Sequence, residues 1–322
     1  LQMDIKKVVV AGGGVLGTQI AFQTAMKGFD VTIWLRSESS IGRTQPKLDL
    51  TRNSYRKALL QTKAMLNDPR VAYIYPKGLI DDITKTTEAD IDALLEKVDQ
   101  TYEGLKLELD LNKALDNADL LIESMTENIN DKIALFDKIA PILDEKTIFV
   151  SNSSTLLPSA LADHSGRPEK YLHLHFANNI WSLNIAEVMG HPGTDPKYFE
   201  IMVEFAKAIG MLPIEVHKEQ AGYVLNSMLV PLLNSALGLA ANGVADPKTI
   251  DLTWTRGTGA PLGPFAILDV VGLYTAYEIN ASSPAAKDPN SNAGKITSYL
   301  KEKIDRGETG VAAGKGFYDY SK

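Results

Sequence analysis

The chain has 322 residues, a formal net charge of −7 and no cysteine. Its length predicts two domains with enough apolar material for a sizeable core. The lack of cysteine excludes disulfides, thiolate metal sites and cysteine nucleophiles, and the acidic balance argues against nucleic acid or an anionic membrane as a partner. A strand is predicted close to the start and no apolar run has transmembrane length, so we expect a cytoplasmic protein without a signal peptide.

A glycine-rich turn stands between the first predicted strand and the first predicted helix. The β-branched run 8–11 leads into the pattern Gly-x-Gly-x-x-Gly at positions 12–17, and a second strand is predicted at 31–35. This spacing predicts a βαβ unit whose turn lets a pyrophosphate approach the helix N-terminus. We therefore expect a dinucleotide cofactor to contact Gly12, Gly14, Val15, Leu16 and Gly17.

A polar and mostly helical stretch over about 38–105 follows the second strand, and we interpret it as an insertion into a sheet domain. Its basic side chains Arg52, Arg56, Lys57 and Lys63 recur at helical spacings. They either line a groove for a phosphate-bearing ligand or cover a solvated helix face, and the pattern leaves both interpretations open.

Strand signals resume at 107–109, 119–123 and 147–150, and from residue 195 onward long amphipathic helices replace them. We therefore predict an α/β fold, with a doubly wound Rossmann-type sheet over 1–192 followed by an all-α domain over 193–322. The apolar run 221–241 predicts a helix that is buried nearly all round and that also packs against a second subunit. We accordingly expect a homodimer formed through the helical domain.

The stretch 171–189 contains two further predicted strands that carry a histidine and an acid. Strand alternation places His173 and His175 on one face, and Glu187 lies in apolar sequence on the next strand. A carboxylate among apolar neighbours needs a partner, and a histidine held by a glutamate can act as a general base. The same pattern also fits a packed core histidine with an unrelated edge acid. We interpret the other histidines as structural or exposed, namely His164, His173, His191 and His217.

Taken in order, these segments resemble the L-3-hydroxyacyl-CoA dehydrogenase family, which includes the bacterial 3-hydroxybutyryl-CoA dehydrogenases. The resemblance runs nearly from end to end. The segments that carry it are Ser-Asn-Ser-Ser-Thr at 151–155, Leu-His-Phe-x-Asn at 174–178, Glu-Val at 187–188, the cofactor-side segment 123–132, the segment 261–272 and the tail 314–320.

This resemblance implies reversible hydride transfer between a nicotinamide cofactor and C3 of a 3-hydroxyacyl-CoA. The family's serine, histidine, glutamate and later asparagine match Ser154, His175, Glu187 and Asn226. His175 is then the base that Glu187 orients, while Ser154 and Asn226 hold the substrate oxygen. Further implied contacts are Glu127, Asn128, Lys132 and Asn152 on the cofactor side, and Asn178, Arg56 and Lys57 on the substrate side. No metal-ligand spacing is present.

The chain departs from the family pattern close to the expected substrate. The family usually has an aromatic residue, a proline and a lysine where this chain has Ala177, Asn179 and Asn184, and the stretch between Leu35 and Glu127 is longer than usual. Two alternatives therefore stay open: a dehydrogenase of a free hydroxy acid such as carnitine or gulonate, and a non-catalytic dinucleotide-binding structural protein. A basic groove at 50–65 favours a CoA thioester, and its absence favours a free acid. The presence of all four catalytic positions argues against the non-catalytic alternative.

The end of the second strand bears on the choice between NAD and NADP. NAD-specific relatives carry an acid there that binds the ribose 2′-hydroxyl, whereas this chain has Leu35, and Asp30 lies at the opposite end of the strand. Arg36, Ser37 and Arg43 can bind a 2′-phosphate. We predict a preference for NADP over NAD. The alternative is an exposed arginine beside an NAD site that lacks the acid.

Overall fold

A mostly parallel sheet lies at the centre of the N-terminal part of the chain. The computed structural model describes residues 3–321. Its strands are β1 Lys7–Ala11, β2 Asp30–Trp34, β3 Lys106–Glu108, β4 Leu120–Glu123, β5 Ile148–Ser151, β6 Tyr171–Phe176, β7 Ile185–Met189 and β8 Leu212–Val216. They form one eight-stranded sheet in the order β3-β2-β1-β4-β5-β6-β7-β8, in which β6 and β7 pair antiparallel and the other neighbours pair parallel.

Helices cover both faces of this sheet, and a second group of helices follows it. Those of the first group are α1 Val15–Met26, α2 Glu38–Ala64, α3 Val71–Ile74, α4 Glu88–Gly104, α5 Leu111–Leu115, α6 Ile129–Ile139, α7 Pro158–Leu161 and α8 Pro196–Ala208. Those of the second group are α9 Leu225–Ala241, α10 Pro247–Thr258, α11 Pro264–Val271, α12 Leu273–Ala281 and α13 Asn292–Asp305. The predicted Rossmann-type sheet followed by a helical part is confirmed.

The core on each face of the sheet follows from strand alternation. Val8 and Val10 of β1 belong to one apolar cluster, whereas Val9 and Ala11 belong to the cluster on the other face. Because both faces are covered, β1 is an almost continuous β-branched run rather than an alternating one. The predicted insertion contains α2 and α4, and these helices pack through a third apolar cluster that includes Tyr55, Leu59, Ile91 and Leu95.

The chain divides into two compact units, Leu1–Val224 and Leu225–Lys322, so the first unit continues beyond the predicted boundary at 192. The expectation that strands end before residue 195 is wrong, because β8 pairs parallel with β7. Pro213 hides this strand from a sequence pattern, since proline lacks an N–H and is disfavoured within sheets. It is accommodated because β8 forms the edge of the sheet.

In the second unit, α9 is less buried than its apolar sequence suggests. Within the chain its buried residues are Leu233, Ala236 and Leu237, whereas Met228 is 63% exposed. The expectation that this helix is buried nearly all round is therefore not met by the chain's own packing. The tail 314–320 docks on the same unit through buried Asp269, which accepts hydrogen bonds from the amides of Phe317 and Tyr318.

Candidate active site

The glycine-rich turn borders a cavity of about 400 Å³ at the carboxyl ends of β1, β2 and β4. Parallel sheets bind ligands at this edge. The residues that line the cavity are Gly12, Gly13, Gly14, Val15, Leu16, Gly17, Trp34, Leu35, Arg36, Ser40, Arg43, Thr44, Lys47, Ser124, Met125 and Thr126. All five residues predicted for the turn therefore lie on the cavity wall.

The glycines of this turn fit the backbone of a dinucleotide. Gly12 has φ +125°, and a Cβ there would lie 2.3 Å from the carbonyl oxygen of Ser124. A Cβ at Gly17 would lie 2.3 Å from the carbonyl oxygen of Gly12, whereas one at Gly14 would have no atom within 4 Å. The turn is thus closed towards the protein and open at Gly14. Gly14 also begins α1 without a side-chain cap, which leaves the helix N-terminus available to a pyrophosphate.

The end of β2 presents basic side chains to the cavity. Leu35 is 2% exposed, and its amide donates to the carbonyl of Glu108 at 2.9 Å. Arg36, Arg43 and Lys47 line the cavity, and within residues 3–321 no carboxylate does. Ser37 does not line it, but its hydroxyl bonds that of Ser40, which does, at 3.1 Å.

The antiparallel register of β6 and β7 places His175 directly opposite Glu187. The imidazole Nδ1 lies 3.0 Å from Glu187 Oε1, and the two side chains are 5% and 1% exposed. Glu187 Oε2 accepts the amide of Val224 at 2.9 Å. Because a carboxylate only accepts hydrogen bonds, Nδ1 carries the proton and Nε2 presents a lone pair. The geometry therefore selects a paired histidine over an isolated core histidine.

The serine turn after β5 lies against this pair. Ser154 Oγ is 3.4 Å from His175 Nε2. Glu127 holds the turn by accepting the Ser153 hydroxyl and the Ser154 amide, both at 2.6 Å. Asn152 joins the turn to β6 by accepting the amide of Phe176 at 3.0 Å. Three of the four predicted catalytic residues thus meet in one place, and Glu127 and Asn152 support them.

The remaining cofactor-side residues have structural partners. Lys132 is 2% exposed, and its Nζ bonds Glu123 Oε2 at 2.7 Å and the carbonyl of Met125 at 3.3 Å. This ammonium group therefore lies beneath the end of β4, and its predicted contact with cofactor stays a prediction. Asn128 caps α6 by accepting the amide of Asp131 at 3.1 Å.

The predicted substrate-side residues belong to different elements of the fold. Asn178 Oδ1 accepts Gln19 Nε2 of α1 at 2.8 Å, and Asn226 lies in the first turn of α9 in the second unit. Arg56 is paired with Asp99 of α4 at 2.9 Å, and its neighbour Lys57 lines a shallow surface depression.

Other basic side chains of α2 also have partners. Lys63 pairs with Asp92 at 2.8 Å, and the guanidinium of Arg52 lies 4.1 Å from the ring centre of Tyr102. The predicted basic groove is therefore partly neutralised by α4.

Sequence reasoning missed a tyrosine that contacts the histidine. The ring of Tyr223 stacks on that of His175, with centroids 4.4 Å apart and planes 10° apart. Its hydroxyl lies 3.1 Å from Nδ1 of His173. No periodicity marks Tyr223, because it stands alone between a strand and a helix. The small residues before it, Ala221 and Gly222, are the only nearby feature of the sequence that indicates a bend there.

Two family models cover most of the chain. Residues 75–220 match the model described as 3-hydroxyacyl-CoA dehydrogenase, NAD binding domain, and residues 222–320 match 3-hydroxyacyl-CoA dehydrogenase, C-terminal domain. The chain belongs to the 3-hydroxyacyl-CoA dehydrogenase family. The predicted resemblance is confirmed, and the NAD binding domain indicates a nicotinamide cofactor. The glycine turn at 12–17 precedes the range that the first model matches.

Relatives of this 3-hydroxyacyl-CoA dehydrogenase family member align over nearly the whole chain. Mitochondrial hydroxyacyl-coenzyme A dehydrogenase of Homo sapiens is 29% identical over 98% of this chain and 91% of its own length. The 3-hydroxybutyryl-CoA dehydrogenase of Clostridioides difficile is 29% identical over 98% of this chain and 100% of its own. A solved diketoreductase, described as a dual catalyst of dicarbonyl compounds, is 42% identical with a TM-score of 0.82, covering 99% of this chain and 100% of that one.

The described residues contain neither a metal cluster nor a spanning helix. Within residues 3–321, no group of three or more histidine, cysteine, aspartate or glutamate residues is arranged to hold a metal ion. In the same residues, no helix is both long enough and apolar enough to cross a membrane.

Proposed function

We propose that the protein transfers a hydride between a nicotinamide cofactor and C3 of a 3-hydroxyacyl-CoA of the 3-hydroxybutyryl type, with His175 as general base. The observation that carries this proposal is the buried His175–Glu187 pair, in which His175 Nε2 lies 3.4 Å from Ser154 Oγ. A buried carboxylate that fixes the tautomer of a histidine beside a hydroxyl is a proton-transfer arrangement. The pair also favours a catalytic over a purely structural role, because it directs His175 Nε2 towards the Ser154 hydroxyl.

In the oxidative direction, His175 Nε2 takes the proton of the substrate hydroxyl while the electron pair of the C3–H bond leaves as hydride. The bound nicotinamide ring supplies the hydride acceptor. Glu187 stabilises the imidazolium that forms, since its charge and its hydrogen bond favour the protonated ring. Ser154 Oγ donates to the substrate oxygen, where negative charge develops, and the imidazolium returns its proton in the reductive direction. From the resemblance to the family's later asparagine, we propose that Asn226 also contacts that oxygen.

For the cofactor we propose NADP in preference to NAD. The support is local: Leu35 stands where an acid would bind a ribose 2′-hydroxyl, and Arg36, Arg43 and Lys47 line the same part of the cavity. A guanidinium binds a phosphate through two parallel hydrogen bonds, and a neighbouring carboxylate would repel it. An NAD site without the usual acid is the alternative.

A second candidate substrate is a 1,3-dicarbonyl compound or a free hydroxy acid that carries no CoA. Two observations favour it: α4 neutralises Arg56 and Lys63 of α2, and a solved relative that is 42% identical acts on dicarbonyl compounds. A CoA phosphate would have to compete with Asp99 and Asp92 for these cations. The chemistry at C3 is the same for both candidates.

Steady-state assays with purified protein distinguish the candidates. Acetoacetyl-CoA, free acetoacetate and an acetoacetate ester are compared, each with NADH and NADPH, and His175→Ala serves as the catalytic control. A higher kcat/KM for acetoacetyl-CoA supports the thioester, and a higher kcat/KM for the ester or the free acid supports the second candidate. Cofactor binding without turnover of any of these compounds would favour a non-catalytic protein.

We further propose a homodimer formed through the second unit. Several apolar side chains on its helices are exposed in the single chain, including Met228 and Leu239 of α9 and Val270 and Val271 of α11. Exposed apolar patches of this kind mark association surfaces.

A further inference from the structure

Tyr223 makes an unusual contact with the proposed base. Its ring lies flat on the imidazole of His175, and Tyr223 is 1% exposed. Its backbone has φ +52°, in the left-handed region that a bulky side chain seldom adopts. Such a conformation persists only where surrounding contacts hold it, and it is typical of functional sites.

A chain of hydrogen bonds holds the phenol in place. Tyr223 donates its hydroxyl to the carbonyl of Ser153 at 2.5 Å. His173 Nδ1 lies 3.1 Å from the same oxygen, and His173 Nε2 lies 2.9 Å from the hydroxyl of Tyr171. Because the single phenol proton of Tyr223 goes to Ser153, His173 donates from Nδ1 and accepts Tyr171 at Nε2. The hydrogen bonds from Tyr171 to His173, from His173 to Tyr223 and from Tyr223 to Ser153 therefore all run in the same donor-to-acceptor direction.

The protonation of His173 agrees with this arrangement. Burial, together with the positive charge of Lys132, lowers the pKa of His173 to about 3. The ring is therefore neutral near pH 7, with one donor and one acceptor, as the chain of bonds requires. A cationic His173 would instead repel the imidazolium that forms on His175.

The same bend in the backbone also holds the carboxylate. Gly222, at φ +84°, and Tyr223 turn the chain so that the amide of Val224 donates to Glu187 Oε2. Two consecutive residues thus contact the pair, since Tyr223 stacks on His175 and Val224 bonds Glu187, while the phenol hydroxyl anchors the peptide that precedes Ser154.

We propose that Tyr223 is a positioning residue for hydride transfer, which orients the imidazole of His175 through its ring and the turn of Ser154 through its hydroxyl. The inference rests on the proposed function. The aromatic face also stabilises the imidazolium as the proton arrives, because a ring attracts a cation held over its face. The Tyr171–His173 pair fixes the phenol without touching the reacting atoms.

The test compares Tyr223→Leu, which removes ring and hydroxyl, with Tyr223→Phe, which removes the hydroxyl alone. Misplacement of a catalytic group by about 1 Å costs on the order of 10²-fold in rate, so we expect this loss in kcat for Tyr223→Leu and a smaller loss for Tyr223→Phe. The KM for cofactor should stay near that of the wild type. The primary deuterium isotope effect on kcat should rise in both variants, because the chemical step becomes slower.

Tyr55→Phe is the matched control. Tyr55 is also fully buried, and its hydroxyl bonds Gln23 at 2.6 Å. It lies on α2 in the third apolar cluster, which does not include His175. This variant should lose stability and keep the wild-type kcat and isotope effect. A structural role for Tyr223 predicts the same behaviour as Tyr55→Phe.

The outcomes are distinct. A graded fall in kcat with a raised isotope effect supports the proposal, and Tyr223→Phe provides the measurement if Tyr223→Leu does not fold. Wild-type kcat and isotope effect in Tyr223→Phe and Tyr223→Leu overturn it while leaving the proposed function intact. An inactive wild-type protein overturns both.

Discussion

Replacing Glu187 by glutamine is the sharpest test of the proposed base. Glu187 is buried, and its two carboxylate oxygens accept two different donors, Nδ1 of His175 and the amide of Val224. Glutamine has the same shape, but one of its two terminal groups is an NH2 that can only donate. One of the two donors must therefore lose its acceptor.

The magnitude follows from which donor is left. If the NH2 group faces Val224, a buried amide is orphaned, at a cost of about 1–3 kcal/mol in the free energy of unfolding. If it faces His175, Nδ1 must accept, and the imidazole proton moves to Nε2. That tautomer cannot take a proton from substrate, and loss of a general base lowers the rate by about 10² to 10⁴.

The assay is the steady-state rate with the better of the candidate substrates at saturating cofactor. We expect Glu187→Gln to lower kcat by at least about 10²-fold with cofactor affinity unchanged. Asp137→Asn is the control, because Asp137 pairs with His164 at 2.9 Å in an exposed histidine–carboxylate pair. A Glu187→Gln enzyme with nearly normal kcat would refute the role given to this carboxylate.

Three further predictions concern cofactor, acid stability and assembly. Arg36→Ala should lower kcat/KM for NADPH by about ten- to a hundredfold and leave kcat/KM for NADH unaffected. The control, Arg52→Ala, should change kcat/KM for neither cofactor. A wild-type preference for NADH that Arg36→Ala retains would contradict the proposed role of Arg36. Because the folded-state pKa of His173 is lowered from 6.5 to about 3, the unfolded chain binds more protons between these values, and stability falls as the pH drops below about 6.5. Urea unfolding near pH 5 should show a loss of up to about 2 kcal/mol relative to neutral pH that His173→Gln lacks, and equal acid sensitivity of both proteins would count against it. Light scattering at micromolar concentration should give about twice 35.1 kDa, and a 35.1 kDa species alone would exclude the homodimer.

The parts of the fold that could be predicted have short-range causes. The βαβ unit follows from a glycine turn between a β-branched run and a helical pattern, and the structure places that turn on the cavity wall. The pairing of His175 with Glu187 could be anticipated because a carboxylate in an apolar strand needs a partner. The nearest histidine on the neighbouring strand is His175, and the strand register confirms that it lies opposite Glu187.

The parts that could not be predicted depend on contacts distant in sequence. Strand β8 contains Pro213 and a single polar side chain, Glu215, and its pairing with β7 makes it a strand. The ion pair of Arg56 with Asp99 of α4, at 2.9 Å, could not be predicted, because the two residues are 43 positions apart in the sequence. Tyr223 belongs to no periodic pattern in the sequence. Its contact with His175 can therefore be recognised only once the backbone bend at Gly222 is known.

The proposed base and the surface of α2 are built in different ways. The His175–Glu187 pair depends on strand register: a slip of one residue would place Ala186 or Val188 opposite His175 and turn the acid to the other face. The surface of α2, by contrast, carries long flexible basic side chains. These form exposed ion pairs with acidic residues of α4, and each such pair contributes little energy. Exchanges on α2 are therefore expected to cost the fold little, whereas exchanges in β6 or β7 are expected to affect both the fold and the proposed chemistry. On the proposal that α2 contributes to substrate binding, changes of substrate are expected on α2 and α4 before any change in the His175–Glu187 pair.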